Sequence, residues 1–482
     1  MSSNEDRPSP GEAKARVAID LGAESCRVSL LRWSDKGPTV DLVHRVANGP
    51  VHRGSSLRWP LEQILQGIEE GLRRAAVAAP EGIASIAVDG WAVDYVRLGA
   101  DGAPIAEPHC YRDERTIASK ERADAIASPE MLFERIGAQP LRINSIYQLM
   151  ADPASGIDAK APWACFPEYV MHWLGGRRVA EYTNATHSGL VDPRTGDWDA
   201  ELFRLLGIPI EAAPPIVQAG TSLGRVQGPL AGLDAYRETE LIAPACHDTA
   251  SAIAGIPTSL DCCAYICSGT WSLVGTLVEE PILKLEAMRA RYTNQGAAAG
   301  GFCFHTNVNG MWIVKQCMDS WAADGRAWFI EDLVQEASTR TASGTIDVDA
   351  EPLLLDGQMP GRINHELQSR GFAPIPDEAG NEPVFARVIF ESLASRYAGA
   401  LKNLQEMLGR KLDRIHVLGG GSKNRLLTEL TAERTGMQVE AGEAESSTIG
   451  NFAVQLAASE ARGKKLGTED VRRWAAVLCG KC

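Results

Sequence analysis

The chain opens twice in the same way, and this repetition limits what it can fold into. Residues 15–33, ARVAIDLGAESCRVSLLRW, read as an apolar strand, a glycine turn and a second strand. Residues 262–280, CCAYICSGTWSLVGTLVEE, repeat that pattern in different letters. A third strand, TVDLVHRV (39–46), makes the first opening an antiparallel meander. Leu61, Ile64, Leu65, Ile68 and Leu72 then recur at helical spacing, and a strand follows at 83–91. Late in the chain the spacing predicts a helix over 384–408, with Leu393, Tyr397, Leu401, Leu404 and Leu408 as its buried stripe and Gly409 as its stop. A strand at 414–421, a helix at 423–436, a strand at 437–442 and a helix at 447–461 complete the series. Such alternation pairs strands in parallel.

The expected fold is therefore α/β, with two halves of mixed sheet flanked by helices. A cleft between two such halves is where ligands bind. The sequence divides into a disordered tail (1–14), an N-terminal domain (15–256), a C-terminal domain (257–465) and a C-terminal tail (466–482), with 280–380 as an irregular lobe. A chain of 482 residues exceeds one ordinary domain.

A formal net charge of −14 argues against nucleic acid or an anionic membrane as partner. It leaves a phosphorylated ligand open, because a few backbone amides suffice to bind phosphate. The first fourteen residues lack an apolar signal segment, and no apolar run approaches a membrane span, so a cytoplasmic protein is expected. Eleven scattered cysteines read as reduced thiols, and the terminal Cys479/Cys482 pair lacks the partners of a zinc site. Asn184-Ala185-Thr186 matches a glycosylation pattern that carries no meaning in a cytosolic chain.

Three glycine turns carry the chemistry. At 18–27, Asp20 ends a buried strand and Gly22 opens a tight hairpin, so backbone amides can approach a phosphate and the carboxylate can hold a hydrated Mg²⁺. At 267–273, Gly269 and Thr270 offer amides and a hydroxyl. Gly419-Gly420-Gly421 supplies more flat backbone than a strand-to-helix turn requires, enough for an adenine or ribose to lie against. The phosphate-binding loop G-x-x-x-x-G-K-[ST], the G-x-G-x-x-G dinucleotide fingerprint, H-E-x-x-H and a serine nucleophile elbow are all missing. A fourth stretch, LIAPACHDTASAIAG (241–255), buries one carboxylate, Asp248, among small apolar residues. Asp248 precedes a helical segment, so helix capping and proton transfer are both open to it, and the two are compatible. Asp89 and Asp94 flank Trp91 at a strand end, a combination suited to hydroxyl binding and stacking, although Trp91 can equally pack in the core.

Eight short segments, in order, give these turns a context: AIDLGAESCRVSL, SIAVDGWAVDYVRL, YRDERT, INSIYQL, EYTNAT, HDTASA, CSGTWSL and VLGGGSKNRLL. Together they resemble the nucleotide motifs of the sugar kinase, heat-shock ATPase and actin superfamily. Within it the chain is similar to the FGGY carbohydrate kinases from about residue 15 to 460. The resemblance implies two actin-like (ribonuclease H-like) domains with the active site in the interdomain cleft. It implies ATP and Mg²⁺ as cofactors and a small-molecule sugar as partner, in a monomer or homodimer. The implied reaction is ATP-dependent phosphorylation of a ketose: L-rhamnulose first, with L-fuculose, a pentulose or a related polyol as the alternative. A sugar-independent, nucleotide-driven binding protein is a further alternative.

Residue by residue, the resemblance implies that Ala23, Glu24, Ser25, Cys26 and Arg27 line the first phosphate loop. Gly269 and Thr270 would contact ATP phosphate, and Gly419, Gly420 and Gly421 the adenosine. Lys315 would stand near ATP and Asp20 at the metal. Asp248 would accept the proton of the sugar hydroxyl, with Asp89, Trp91, Ala92, His247, Thr249 and Asn307 around the sugar. The chain departs from the family at three points. Ala92-Val93-Asp94 replaces Gly-Val-Asp, Glu24-Ser25-Cys26-Arg27 replaces Ser-Ser-Gly-Arg, and Lys315 replaces a glutamine.

Overall fold

A computed structural model describes residues 14–481. The tail expected at 1–14 lies outside the described residues, apart from Lys14. The first opening forms β1 (Ala15–Leu21), β2 (Ser25–Ser34) and β3 (Gly37–Ala47). Every residue of β1 is buried. Its position explains this, because β2 pairs with it antiparallel on one side and β4 (Ile83–Gly90) parallel on the other. β5 (Ser222–Arg225) and β6 (Glu240–Ile242) complete a six-stranded sheet in the order β5-β6-β4-β1-β2-β3. Helix α1 (Leu61–Ala78) lays Leu61, Ile64, Ile68 and Leu72 on the sheet.

After a short helix, α2 (Asp248–Ala254), the second opening forms β7 (Cys263–Ser268) and β8 (Trp271–Val278). Strands β9 (Tyr292–Gly296) and β10 (Phe302–Asn309) follow, then helix α3 (Glu382–Leu408), strand β11 (Arg414–Leu418), helix α4 (Arg425–Thr435) and strand β12 (Gln438–Ala441). The second sheet runs β9-β10-β8-β7-β11-β12. Like β1, β7 lies between an antiparallel neighbour, β8, and a parallel one, β11. The two halves are thus mixed α/β layers of one design. Leu393, Tyr397, Leu401 and Leu404 of α3 are buried, and Gly409 ends the helix in the left-handed region at φ 62°.

Two expectations need correction. Residues 280–380 are not irregular: they supply β9, β10 and the helices Trp312–Ala323, Ile330–Ser338 and Met359–Ser369. The strands escape an apolar-periodicity reading because much of what they bury is polar, including Thr293, Asn294, His305, Thr306 and Asn309. The segment expected as a C-terminal tail carries α6 (Thr468–Leu478), which buries Val471, Trp474 and Ala475 at helical spacing. Trp474 meets Trp33 of β2 edge-on, with ring centroids 6.0 Å apart. Cys482 lies outside the described residues, and every described cysteine is a free thiol. No described helix is long and apolar enough to cross a membrane.

The halves exchange helices where they meet. α2 follows the first sheet but packs Ala252 and Ile253 against Tyr265, Cys303 and Leu418 of the second. α5 (Ser446–Ala461) follows the second sheet but packs Phe452, Ala453, Leu456 and Ala457 against Ala18 and Leu31 of the first. The two helices cross so closely that a Cβ on Gly450 would lie 1.7 Å from the Ser251 carbonyl oxygen, and one on Gly255 2.6 Å from that of Ser446. Glycine at these two positions permits the crossing.

Candidate active site

Three chain segments end side by side at the carboxyl edge of the first sheet. Asp20 of β1 is in register with Asp89 of β4, and Gly90 forms a parallel bridge to His247. This brings Asp20, Asp89 and Asp248 into one neighbourhood, the edge at which open α/β sheets bind ligands.

Asp20 is 2% exposed. Its Oδ2 accepts from Arg27 Nη2 at 2.8 Å and from Ser447 Oγ at 2.6 Å. Burial raises its pKa, and the Arg27 cation and the Ser447 hydrogen bond oppose the rise. Asp89 is fully enclosed, and Asn451 Nδ2 donates to its Oδ2 at 2.6 Å. Burial first, then the neighbouring Asp20, push its pKa well up. Asp89, expected beside the sugar, lies in register with Asp20 and under Asn451.

Asp248 differs from both, because its side chain keeps 39% of its surface exposed. It is the first residue of α2 and not its cap: His247 holds the cap position, and no side chain caps the helix. Burial raises the Asp248 carboxyl to about 6, while hydrogen bonds from Thr249 and the charge of Arg27 hold it from rising further. His247 Nε2 lies 3.3 Å from Asp248 Oδ1. Burial pushes the His247 pKa down to about 3, so the ring is neutral near pH 7. The His187 ring packs on it at 3.8 Å between centroids. The backbone before Asp248 is clamped by the EYTNAT segment: Cys246 N donates to Glu181 Oε2 at 2.9 Å and His247 N to Thr183 Oγ1 at 3.3 Å.

The 22–27 loop is tight because a Cβ on Gly22 would lie 2.6 Å from the Ser25 carbonyl oxygen. Asn48 braces it, donating from Nδ2 to the Gly22 carbonyl at 2.8 Å and from its backbone N to the Glu24 carbonyl at 2.9 Å. Ala23 and Ser25 are partly exposed, Glu24 is exposed, and Cys26 is buried.

In the second half, Gly269 and Thr270 form the β7–β8 turn, fastened by Met311 N to the Gly269 carbonyl and by Trp312 N to the Thr270 carbonyl. The three glycines after β11 have separate reasons. Gly419 adopts φ 76°. A Cβ on Gly421 would lie 2.0 Å from Ser268 Oγ. Gly420 has nothing within 4 Å of its Cβ position, so packing does not account for it and its face stays open to a ligand.

Some expected residues are engaged elsewhere. Trp91 is 7% exposed, packed at a tilt against Trp59 and Phe166 with ring centroids 4.3 and 4.7 Å away, and its Nε1 donates to Asp94 Oδ2 at 3.0 Å. Its ring belongs to the core of the first half. Ala92 is 8% exposed and precedes Val93, a β-branched residue at φ 71°. Ser145 Oγ and Gln148 Nε2 hold that strained turn by donating to the Val93 carbonyl. Lys315 Nζ pairs with Asp319 one turn along its own helix at 2.7 Å. Asn307 is exposed on β10.

Among the described residues no three His, Cys, Asp or Glu side chains come close enough to chelate a metal directly. The donor set suits a cation that keeps its waters: two adjoining carboxylates, with Asp89 Oδ1 buried and unpartnered. Mg²⁺ binds in that manner, through one or two carboxylates and substrate phosphates.

The helix expected at 447–461 is present as α5, but sequence reasoning missed its part in the site. Arg27 pairs with Glu445 as well as with Asp20, and Ser447, Asn451 and Gln455 form a polar stripe along the helix. The signal was present, because four-residue spacing of polar groups in an otherwise apolar helix marks one face.

Comparison with known proteins decides the family. The N-terminal domain model of the FGGY family of carbohydrate kinases matches residues 15–255, and the C-terminal domain model matches 264–459. The chain belongs to the FGGY family of carbohydrate kinases. Among similar curated proteins, a rhamnulokinase of Bacteroides thetaiotaomicron is 32% identical, covering 91% of this chain and 89% of that protein. A rhamnulokinase of Bacillus subtilis is 30% identical, covering 95% and 93%. The carbohydrate kinase fold is shared with a ligand-bound xylulose kinase from Lactobacillus acidophilus, with TM-score 0.75, 17% identity and 97% of each chain covered. It is also shared with Plasmodium falciparum glycerol kinase with ADP, with TM-score 0.72, 11% identity, and 96% and 92% covered.

Proposed function

We propose that this carbohydrate kinase transfers the γ-phosphoryl group of ATP to the 1-hydroxyl of L-rhamnulose, with Asp248 as general base. The observation that carries the reading is Asp248 itself. It is the one carboxylate of the cluster with exposed surface, it caps nothing, and burial raises its pKa to about 6. A base works best with a pKa near the operating pH. The sugar oxygen bonds to phosphorus as the bond to the ADP oxygen breaks, and the hydroxyl proton passes to Asp248. Neutral His247 and Thr249 orient that carboxylate. Asp20 would hold Mg²⁺, which when bound would supply charge neutralisation on the phosphates. Arg27 lies within reach of the same site and is fixed by Asp20 and Glu445. Gly269, Thr270 and the open face of Gly420 receive the nucleotide. Free thiols throughout the described chain suit a reducing cytoplasm.

The choice of L-rhamnulose is supported by the relatives' names at 30–33% identity over about nine tenths of the chain. Ala92, where the family has glycine, favours a second reading, a related ketose that fits a pocket narrowed by one methyl group. A ketose panel with ATP, read as ADP release, separates the two. The highest kcat/KM is expected for L-rhamnulose, and a clear preference for L-fuculose or a pentulose overturns the first choice.

A further inference from the structure

Helix α5 of the second half contributes side chains to carboxylates that lie more than 350 residues earlier in the chain. Three polar residues on one face of α5 read the first sheet in order. Ser447 Oγ donates to Asp20 Oδ2, Asn451 Nδ2 to Asp89 Oδ2, and Gln455 Nε2 to the Val17 carbonyl at 3.0 Å. The amides also orient one another. Ser85 Oγ donates to Gln455 Oε1 at 2.6 Å, which turns Gln455 Nε2 toward Asn451 Oδ1 at 2.7 Å. Asn451 therefore has its amide nitrogen committed to Asp89. Asn451, Gln455 and Asp89 are each 0% exposed, so no water competes for these bonds.

A buried carboxylate with one fixed oxygen has one direction left for the other. Asp89 Oδ1 is buried and has no hydrogen-bond partner among the described residues, and Asp89 stands in register with Asp20. An orphaned buried carboxyl oxygen is costly unless a ligand completes it. We propose that Asn451 is a positioning residue that fixes the Asp89 carboxyl so that its free oxygen completes the Asp20 site for the hydrated cation of Mg²⁺–ATP. The inference rests on the reading of this cluster as the phosphoryl-transfer site. Asn451 acts through Asp89 and touches no substrate.

The test uses the full-length enzyme and a non-hydrolysable ATP analogue, titrated calorimetrically with and without Mg²⁺, beside steady-state kinetics. Hydrogen bonds to charged groups are worth about 10- to 100-fold in an equilibrium. Asn451→Leu is expected to lose about that factor in the Mg²⁺-dependent gain of analogue affinity and in kcat, with the ketose KM changed by less than about twofold. Analogue binding without Mg²⁺ stays as in the parent enzyme. Asn451→Ser, which keeps polarity but lacks the reach, gives the same reading if leucine is not accommodated. Ser251→Ala removes another α2–α5 hydrogen bond, from Ser251 Oγ to the Ser447 carbonyl at 2.9 Å, without touching Asp89, and should leave these readouts unchanged. An equal loss in Ser251→Ala overturns the inference, because the contact between the helices would then be what matters. Parental Mg²⁺ dependence in Asn451→Leu overturns it too, provided Asp89→Asn is impaired. A fully active Asp89→Asn instead overturns the reading of the cluster on which the inference rests.

Discussion

Asp248 combines two properties that a carboxylate at a helix start seldom has together. It makes no capping bond, and its pKa is raised to about 6 despite the helix N-terminus beside it. Substitution separates its roles. Asp248→Asn keeps the shape and cannot accept a proton, so kcat should fall by about 10²–10⁴ with the melting temperature retained. In the parent enzyme kcat should decline as pH drops through about 6, because the base is then protonated and idle, and the residual rate of Asp248→Asn should lack that limb. Near-normal turnover in Asp248→Asn would remove it from the chemistry. Asp248 was legible in the sequence because a lone carboxylate in a small, apolar stretch demands a reason. Trp91 stayed open between two readings for the converse reason: an aromatic beside two aspartates suits a sugar as well as it suits a core. The contacts with Trp59 and Phe166, far away in sequence, are what place its ring in the core.

The elements were legible wherever one face is apolar. β1, α1 and α3 follow directly from their periodicity. β9 and β10 did not, because many of their buried residues are polar, and a hydrophobic pattern does not register a His305 bonded to Tyr265 or an Asn309 bonded to the Val348 carbonyl. Nor does any pattern within one segment show which sheet a helix will cover, and α2 and α5 each cover the sheet of the other half. Their crossing makes a prediction with a decided sign. Glycine to alanine inside a helix ordinarily stabilises by up to about 1 kcal/mol. At Gly450 the new methyl group would meet the Ser251 carbonyl at 1.7 Å and Gly255 N at 2.8 Å, both of them backbone. Overpacking of that kind costs about 1–3 kcal/mol or more and outweighs the helical gain. Gly450→Ala should therefore lower the thermal midpoint by several degrees, and an unchanged or raised midpoint would mean that the helices part freely.

At the scale of the whole molecule, the two halves touch along a polar seam at α5. A second seam lies at the edge of β9, where Gln139 Nε2 reaches the Met288 and Tyr292 carbonyls at 2.9 and 2.8 Å. Phosphoryl transfer in water invites loss of the phosphate to hydrolysis, so the halves should close over the sugar before transfer. Small-angle scattering with and without L-rhamnulose plus a non-hydrolysable ATP analogue should show a smaller radius of gyration for the liganded enzyme, and identical radii would mean a rigid cleft. The helix exchange also bears on how the enzyme comes into being. The first sheet is synthesised early, with Asp20 and Asp89 already in its strands, yet the helix that covers it and holds both carboxylates lies beyond residue 445. A ribosome-bound or prematurely terminated chain thus lacks a finished first half, however much of it has been translated. Competence to spend ATP is therefore expected to arrive only once α5 has been made and has docked on the first sheet.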